Sequence, residues 1–168
     1  MDMKGLRRRI SAELCRVPTV PALISAAVCL VLGMLVAVSG KGYGVFLPRS
    51  TVSVILMGIF WGIFYAVIGF ALGCFLFAGD GCASVRGEQT ALLFLCTLVL
   101  SYTWTAVVFK AGNYLMGLMV CLAVLACLLT LFFTLRKRYF VSGALILIGC
   151  AWIFYVIYYT FSLMFFHL

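Results

Sequence analysis

Charge is scarce along this chain, and negative charge is scarcest: only four of the 168 residues are acidic, and a tenth are charged at all. A water-soluble domain of this length covers its outside with charged side chains. The shortage excludes that class and requires an exterior as apolar as the interior, which means one that faces lipid. Histidine is limited to His167 and no CxxC pair occurs, so a structural zinc site and a redox motif both lack their parts, and no metal is expected. Cys29, Cys74, Cys96, Cys121, Cys127 and Cys150 lie inside apolar stretches and read as small core hydrophobes, not as a disulfide framework. The four acids, Asp2, Glu13, Asp80 and Glu88, all fall outside those stretches. That leaves no intramembrane carboxylate for acid/base catalysis or for a coupled ion pathway.

What is abundant is apolar sequence, at 67% of the residues. A hydrocarbon core about 30 Å thick takes about 20 helical residues to cross. Five uncharged runs meet that length: Val17–Ser39, Val52–Ala78, Thr90–Phe109, Tyr114–Leu135 and Tyr139–Leu168. The expected fold class is therefore an all-α integral membrane protein, a five-transmembrane-helix bundle forming a single domain over residues 17–168 behind a basic segment at 1–16. Pro18 and Pro21 open the first run, where a missing amide costs little, and the helix proper is expected near Pro21. The links are Gly40–Thr51, Gly79–Gln89, Lys110–Asn113 and Arg136–Arg138, short enough to make sequence neighbours antiparallel neighbours.

The net charge of +8 sits at the ends of the apolar runs, as topology signals do, and forms no folded face for nucleic acid. Nine Lys and Arg fall on the side of the amino terminus and three on the other. This places the amino terminus in the cytoplasm and the carboxyl terminus outside. A cleaved signal peptide, with Arg7-Arg8-Arg9 as its basic start, would need a shorter apolar region than the first run has.

Three aromatic segments make the sequence more specific. The second run reads Gly58-Ile-Phe-Trp61-Gly-Ile-Phe-Tyr65-Ala-Val-Ile-Gly69, with Pro48 thirteen residues before Trp61; the third reads Leu100-Ser101-Tyr-Thr-Trp104-Thr105-Ala-Val-Val-Phe109; the fifth reads Trp152-Ile-Phe-Tyr155-Val156-Ile-Tyr158-Tyr159-Thr160. In order, these resemble the G-x-V-W-x-x-L-Y-x-x-M-G, L-N-x-x-W-S-P-L-F-F and W-x-x-F-A-x-Y-L-N segments of the TspO/MBR family of translocator and tryptophan-rich sensory proteins. The resemblance runs from about Pro21 to the end. The chain departs from the family's pattern at Val52 and Ser53 (the loop Pro-Pro), Ser101 (Asn), Val120 (Asp), Ile148 (Pro) and Thr160 (Asn).

Helical spacing puts Trp61, Tyr65 and Gly69 on one face, Ser101, Trp104 and Thr105 on another, and Trp152, Val156 and Tyr159 on a third. If the three faces converge they make an apolar, aromatic-walled cavity edged by a few hydroxyls and an indole donor, suited to a flat apolar ligand. Without the family, each ring reads more simply as interhelical packing or as an interfacial anchor. The resemblance implies a pocket for a porphyrin or haem-related tetrapyrrole lined by Trp61, Tyr65, Ser101, Trp104, Thr105, Trp152 and Val156, with Tyr43 and Val52 of the first loop over it as a lid. No cofactor is required, and a porphyrin or haem-like molecule would be the bound ligand.

Gly58-xxx-Gly62 and Gly69-xxx-Gly73 allow close helix approach, read first as packing within the chain, with homodimerisation as a family expectation. The hydroxyls of Thr97, Ser101 and Thr105 are expected to bond back to their own helix. Arg138-Tyr139-Phe140-Val141 fits a reversed sterol pattern, but nothing basic follows Tyr158 or Tyr159, and sterol recognition is not carried over. The leading expectation is a membrane receptor for a tetrapyrrole-like ligand, acting in sensing, transport or stress regulation, with a bacterial cytoplasmic membrane as its location and the lipid bilayer as its partner. The alternatives are a porphyrin-degrading or photochemical enzyme on the same pocket, which is less favoured, and a small membrane subunit with a structural or partner-binding role.

Overall fold

The computed structural model describes residues 18–39, 51–77, 85–136 and 139–166, with the side chains of 36–39, 51–56, 85–86 and 166 outside the described set. Five long helices account for them: α1 Thr19–Ser39, α2 Thr51–Leu76, α3 Val85–Thr105, α4 Tyr114–Leu135 and α5 Phe140–Phe166, with a π-helical turn at Ala106–Lys110 continuing α3. The last four contain apolar windows long enough to cross a membrane, and α1 contributes a further apolar stretch, Thr19–Leu35. Their outward faces carry Leu23, Val31, Ile63, Leu95, Met119 and Phe154, all more than half exposed. In lipid that exposure carries no penalty, and only helices that satisfy their own backbone can span the hydrocarbon.

The helix ends refine the sequence expectation. The N–H of Ala22 donates to the carbonyl of Pro18 at 3.1 Å, so α1 begins before Pro21, which sits in the first turn where its missing donor has no helical partner to lose. Helix α3 starts at Val85, five residues ahead of the expected Thr90. Arg86, Glu88 and Gln89 mark the edge of the hydrocarbon, but backbone hydrogen bonding continues past it, and Glu88 in the first turn suits the positive end of the helix dipole. Lys110 belongs to the π turn and not to a loop. The chain then reverses through Gly112, whose φ of 63° suits a residue without a Cβ, and Asn113 caps α4 by accepting the Met116 N–H at 3.0 Å.

The helices close a ring in the order α1, α2, α5, α4, α3, with α3 returning to α1. Adjacent segments in sequence are neighbours in space except that α2 meets α3 only sparsely and packs more extensively on α5. The reason lies in the side chains. Helix α1 lies directly on α2 because Gly69 and Gly73 face it: a Cβ at Gly69 would stand 2.9 Å from the Ala26 Cα, and one at Gly73 2.6 Å from the Ala22 Cα. This is the intrachain packing expected of that glycine pair. Between α2 and α3, by contrast, stand the rings of Trp61, Tyr65, Tyr102 and Trp104, which hold the two backbones apart.

Two hydrogen bonds tie helices across the ring. The Tyr102 hydroxyl donates to the Cys29 carbonyl at 3.1 Å, joining α3 to α1, and the buried Ser142 hydroxyl donates to the Ala71 carbonyl at 3.3 Å, joining α5 to α2. Such bonds average about 0.6 kcal/mol in a membrane protein, because the unfolded helices also find partners. Ser142→Ala should therefore lower stability by less than about 1 kcal/mol, read from denaturation in mixed micelles. A loss of several kcal/mol would show that this contact, and not packing, secures α2 on α5.

Candidate functional site

The three tryptophans, placed on three different helices, meet. Trp61 on α2 packs its ring 5.1 Å from Trp104 on α3, with an interplanar angle of 34°, and takes Trp152 of α5 edge-on at 6.0 Å and 89°. Tyr65, one turn along from Trp61, stacks on it at 5.5 Å and 28°. Phe64 closes the other side, edge-on at 5.4 Å. Trp61, Tyr65 and Trp104 are all buried, and Trp152 is half-buried. The rings of the three faces thus meet, packed on one another, whereas Gly69, expected on the same face as Trp61 and Tyr65, turns to Ala26 and Cys29 of α1.

The remaining expected residues divide. Ser101 is fully buried, but its hydroxyl donates to the Thr97 carbonyl at 2.6 Å, and Thr97 donates to the Leu93 carbonyl at 2.8 Å. These are the back-bonds anticipated on that helix, and they leave Ser101 only acceptor capacity toward a guest. Thr105 is buried where α3 passes into the π turn, and Val156 is fully buried on the inner face of α5. Val52 belongs to the first turn of α2 and not to the first loop as expected; its side chain lies outside the described residues, as does Tyr43 entirely, and the expected lid falls there with them. The loop cue at Val52 was borrowed from a position where the family has proline. A chain without proline there is free to start its helix earlier.

Several neighbours were not singled out in the sequence. Tyr102 lies 4.8 Å from Tyr65, and Phe109 stands edge-on to Trp104 at 5.5 Å and 89°. Residues five apart diverge around an α-helix, and the wider i→i+5 turn brings Phe109 back over Trp104. On the lipid side Trp152 is stacked between Phe60, at 5.2 Å, and Tyr155, at 5.3 Å, both about half exposed. Trp152 thus separates the buried cluster from the bilayer. No periodicity in the sequence distinguishes these rings from the other aromatics of the helices.

The most informative property of the cluster is polar. The indole Nε1 atoms of Trp61, Trp104 and Trp152 are each buried, and none has a hydrogen-bond partner among the described residues; the same is true of the Tyr159 hydroxyl on α5. Indole is a donor only, so a buried N–H left without an acceptor costs about 1–3 kcal/mol. Three such donors in one aromatic cluster are costly as packing alone.

Compared with models of protein families, residues 23–166 match that of the TspO/MBR family. The chain belongs to the TspO/MBR family. The match covers α1 from its second turn through to the last turn of α5, including every tryptophan of the cluster. No curated protein and no solved structure matches the chain significantly. As a TspO/MBR protein with five long helices among its described residues, four of them carrying long apolar windows, it is a multi-pass integral membrane protein.

Proposed function

We propose that this TspO/MBR protein is a membrane receptor for a flat, hydrophobic, tetrapyrrole-like ligand bound at the Trp61–Trp104–Trp152 cluster, with a role in sensing or transport. The observation that carries the reading is the set of three buried indole donors that meet no acceptor among the described residues. Phenylalanine would supply a smaller aromatic ring without that cost, whereas a planar guest bearing acceptors pairs the donors as it buries its faces against the rings. Porphyrins offer large apolar faces together with carboxylate and ring-nitrogen acceptors. Because Trp61 and Trp104 touch at 5.1 Å, a guest must part them or lie along their edges. The bias of Lys and Arg supports an amino terminus on the cytoplasmic side of a bacterial membrane.

The test is titration of the purified, detergent-solubilised protein with protoporphyrin IX, following tryptophan fluorescence, with etioporphyrin as a ring of similar size lacking carboxylates. Saturable quenching is expected. Trp61→Phe, Trp104→Phe and Trp152→Phe should each weaken affinity by about 2- to 10-fold, the value of one neutral hydrogen bond. Etioporphyrin should bind more weakly, and less sensitively to these substitutions. Quenching that never saturates and is equal in empty micelles would overturn the reading.

A further inference from the structure

Helix α1 contributes none of the rings of the cluster, yet its inner face meets them. Gly33 is buried against Tyr65: a Cβ built on Gly33 would overlap the ring, reaching Cδ2 and standing 2.6 Å from Cε2 and 3.0 Å from Cγ. Real Cβ atoms do not come that close. One turn earlier on the same face, the Cys29 carbonyl accepts the Tyr102 hydroxyl at 3.1 Å. Tyr102 in turn lies 4.8 Å from Tyr65, and Tyr65 stacks on Trp61 at 5.5 Å. The Tyr65 ring is therefore enclosed by Gly33 of α1, Tyr102 of α3, and Trp61 and Phe64 of its own helix.

We infer that Gly33, with Tyr102 held by the Cys29 carbonyl, positions the Tyr65–Trp61 wall of the binding cluster and thereby sets which ring systems the site accepts. The inference rests on the reading of the cluster as a ligand site. A methyl group at position 33 cannot be absorbed by the flexible end of a side chain, because the atoms it meets belong to a rigid ring pinned on its other faces. The ring must move toward Trp61 or Tyr102, and Trp61 must follow, altering its contact with Trp104. Tyr102→Phe keeps the ring but releases it from α1, loosening the same wall from the opposite side.

The experiment compares Gly33→Ala and Tyr102→Phe with Gly73→Ala, which crowds the same α1–α2 interface against Ala22 but touches no ring of the cluster. Near-ultraviolet circular dichroism reports the packing of the tryptophans without any ligand, and protoporphyrin IX titration reports the site. Gly33→Ala should change the aromatic dichroism and lower affinity about tenfold, equivalent to about 1.4 kcal/mol. Tyr102→Phe should do the same to a smaller degree. Gly73→Ala should lower the melting temperature while its folded fraction keeps the parent spectrum and affinity. If Gly33→Ala leaves the aromatic spectrum unchanged, or if Gly73→Ala alters it equally, the positioning role is overturned. Should the parent protein fail to bind protoporphyrin IX while Gly33→Ala still changes the spectrum, the ligand reading fails and the positioning of the wall stands.

Discussion

Replacing Gly73 by leucine should detach α1 from the bundle, with a loss of about 3 kcal/mol or more, the upper range for overpacking. Lipid tails are as apolar as the helices, so no hydrophobic force drives α1 onto α2; close van der Waals approach has to hold them. That approach depends on the two glycines. A Cβ at position 73 already stands 2.6 Å from the backbone of Ala22, and backbone cannot rotate aside as a side chain can. The Tyr102 to Cys29 hydrogen bond is too weak to compensate. Denaturation of the detergent-solubilised protein by added sodium dodecyl sulfate measures the loss. Gly58→Leu is the matched control, because a Cβ there meets nothing within 4 Å, and it should stay within about 0.5 kcal/mol of the parent. If Gly58→Leu instead abolishes a dimer seen for the parent by light scattering, then the exposed half of the glycine row serves a second copy. A Gly73→Leu protein as stable as the parent would show that α1 is held by something other than this contact.

The contrast between those two glycines illustrates what the sequence could carry. Both lie in G-xxx-G pairs of identical form, and nothing in the local pattern says that Gly73 faces Ala22 while Gly58 faces outward. The helices themselves were legible because charge and turn residues mark where apolar sequence ends. Tyr114–Leu135 is found with the bounds expected of it, and α1, α2 and α5 end within two residues of expectation. Helix α3 starts ahead of its apolar run for the same reason: hydropathy reports where apolar sequence ends, and Arg86 and Glu88 extend the helix beyond it. The ring order was not legible, since it depends on which faces are small and which are aromatic, and the placement of α5 beside α2 rests partly on Gly149, where a Cβ would stand 3.0 Å from Ile68.

For the candidate site, Trp61, Tyr65, Trp104 and Trp152 could be named from spacing and from the family resemblance. Their contact at 5–6 Å is a tertiary fact. So is the isolation of their N–H groups, which no one-dimensional pattern encodes. Gly33 was invisible for a similar reason, being one small residue in an apolar helix whose role appears only when Tyr65 is placed against it. The π turn that returns Phe109 to Trp104 likewise leaves no periodic signature in five residues.

Trp104 allows packing and recognition to be separated, because removing its ring and removing its donor have opposite expected effects on stability. It is the most deeply buried of the three indoles, at 1% exposure, and truncation of such a residue to alanine typically costs about 3–5 kcal/mol in burial and cavity terms. Deleting an unpaired buried N–H returns about 1–3 kcal/mol of that. Trp104→Ala is thus expected to destabilise the ligand-free protein by about 2 kcal/mol, the middle of the difference between those two ranges. Trp104→Phe keeps an aromatic ring in the contact with Trp61 and Phe109 and removes the donor, so it should leave the ligand-free protein as stable as the parent, or more so, while still weakening protoporphyrin IX binding. Thermal melts with and without ligand read both quantities on one sample: the parent should gain more from ligand than Trp104→Phe does, by RT ln of the ratio of affinities at saturation. A phenylalanine variant that loses more than about 2 kcal/mol without ligand, beyond the cost of the smaller ring, and binds porphyrin as the parent does, would mean that the indole is there to fill space and that the donor serves no guest. The opposite result, stability kept and affinity lost, is what a binding site maintained at the expense of the resting protein requires.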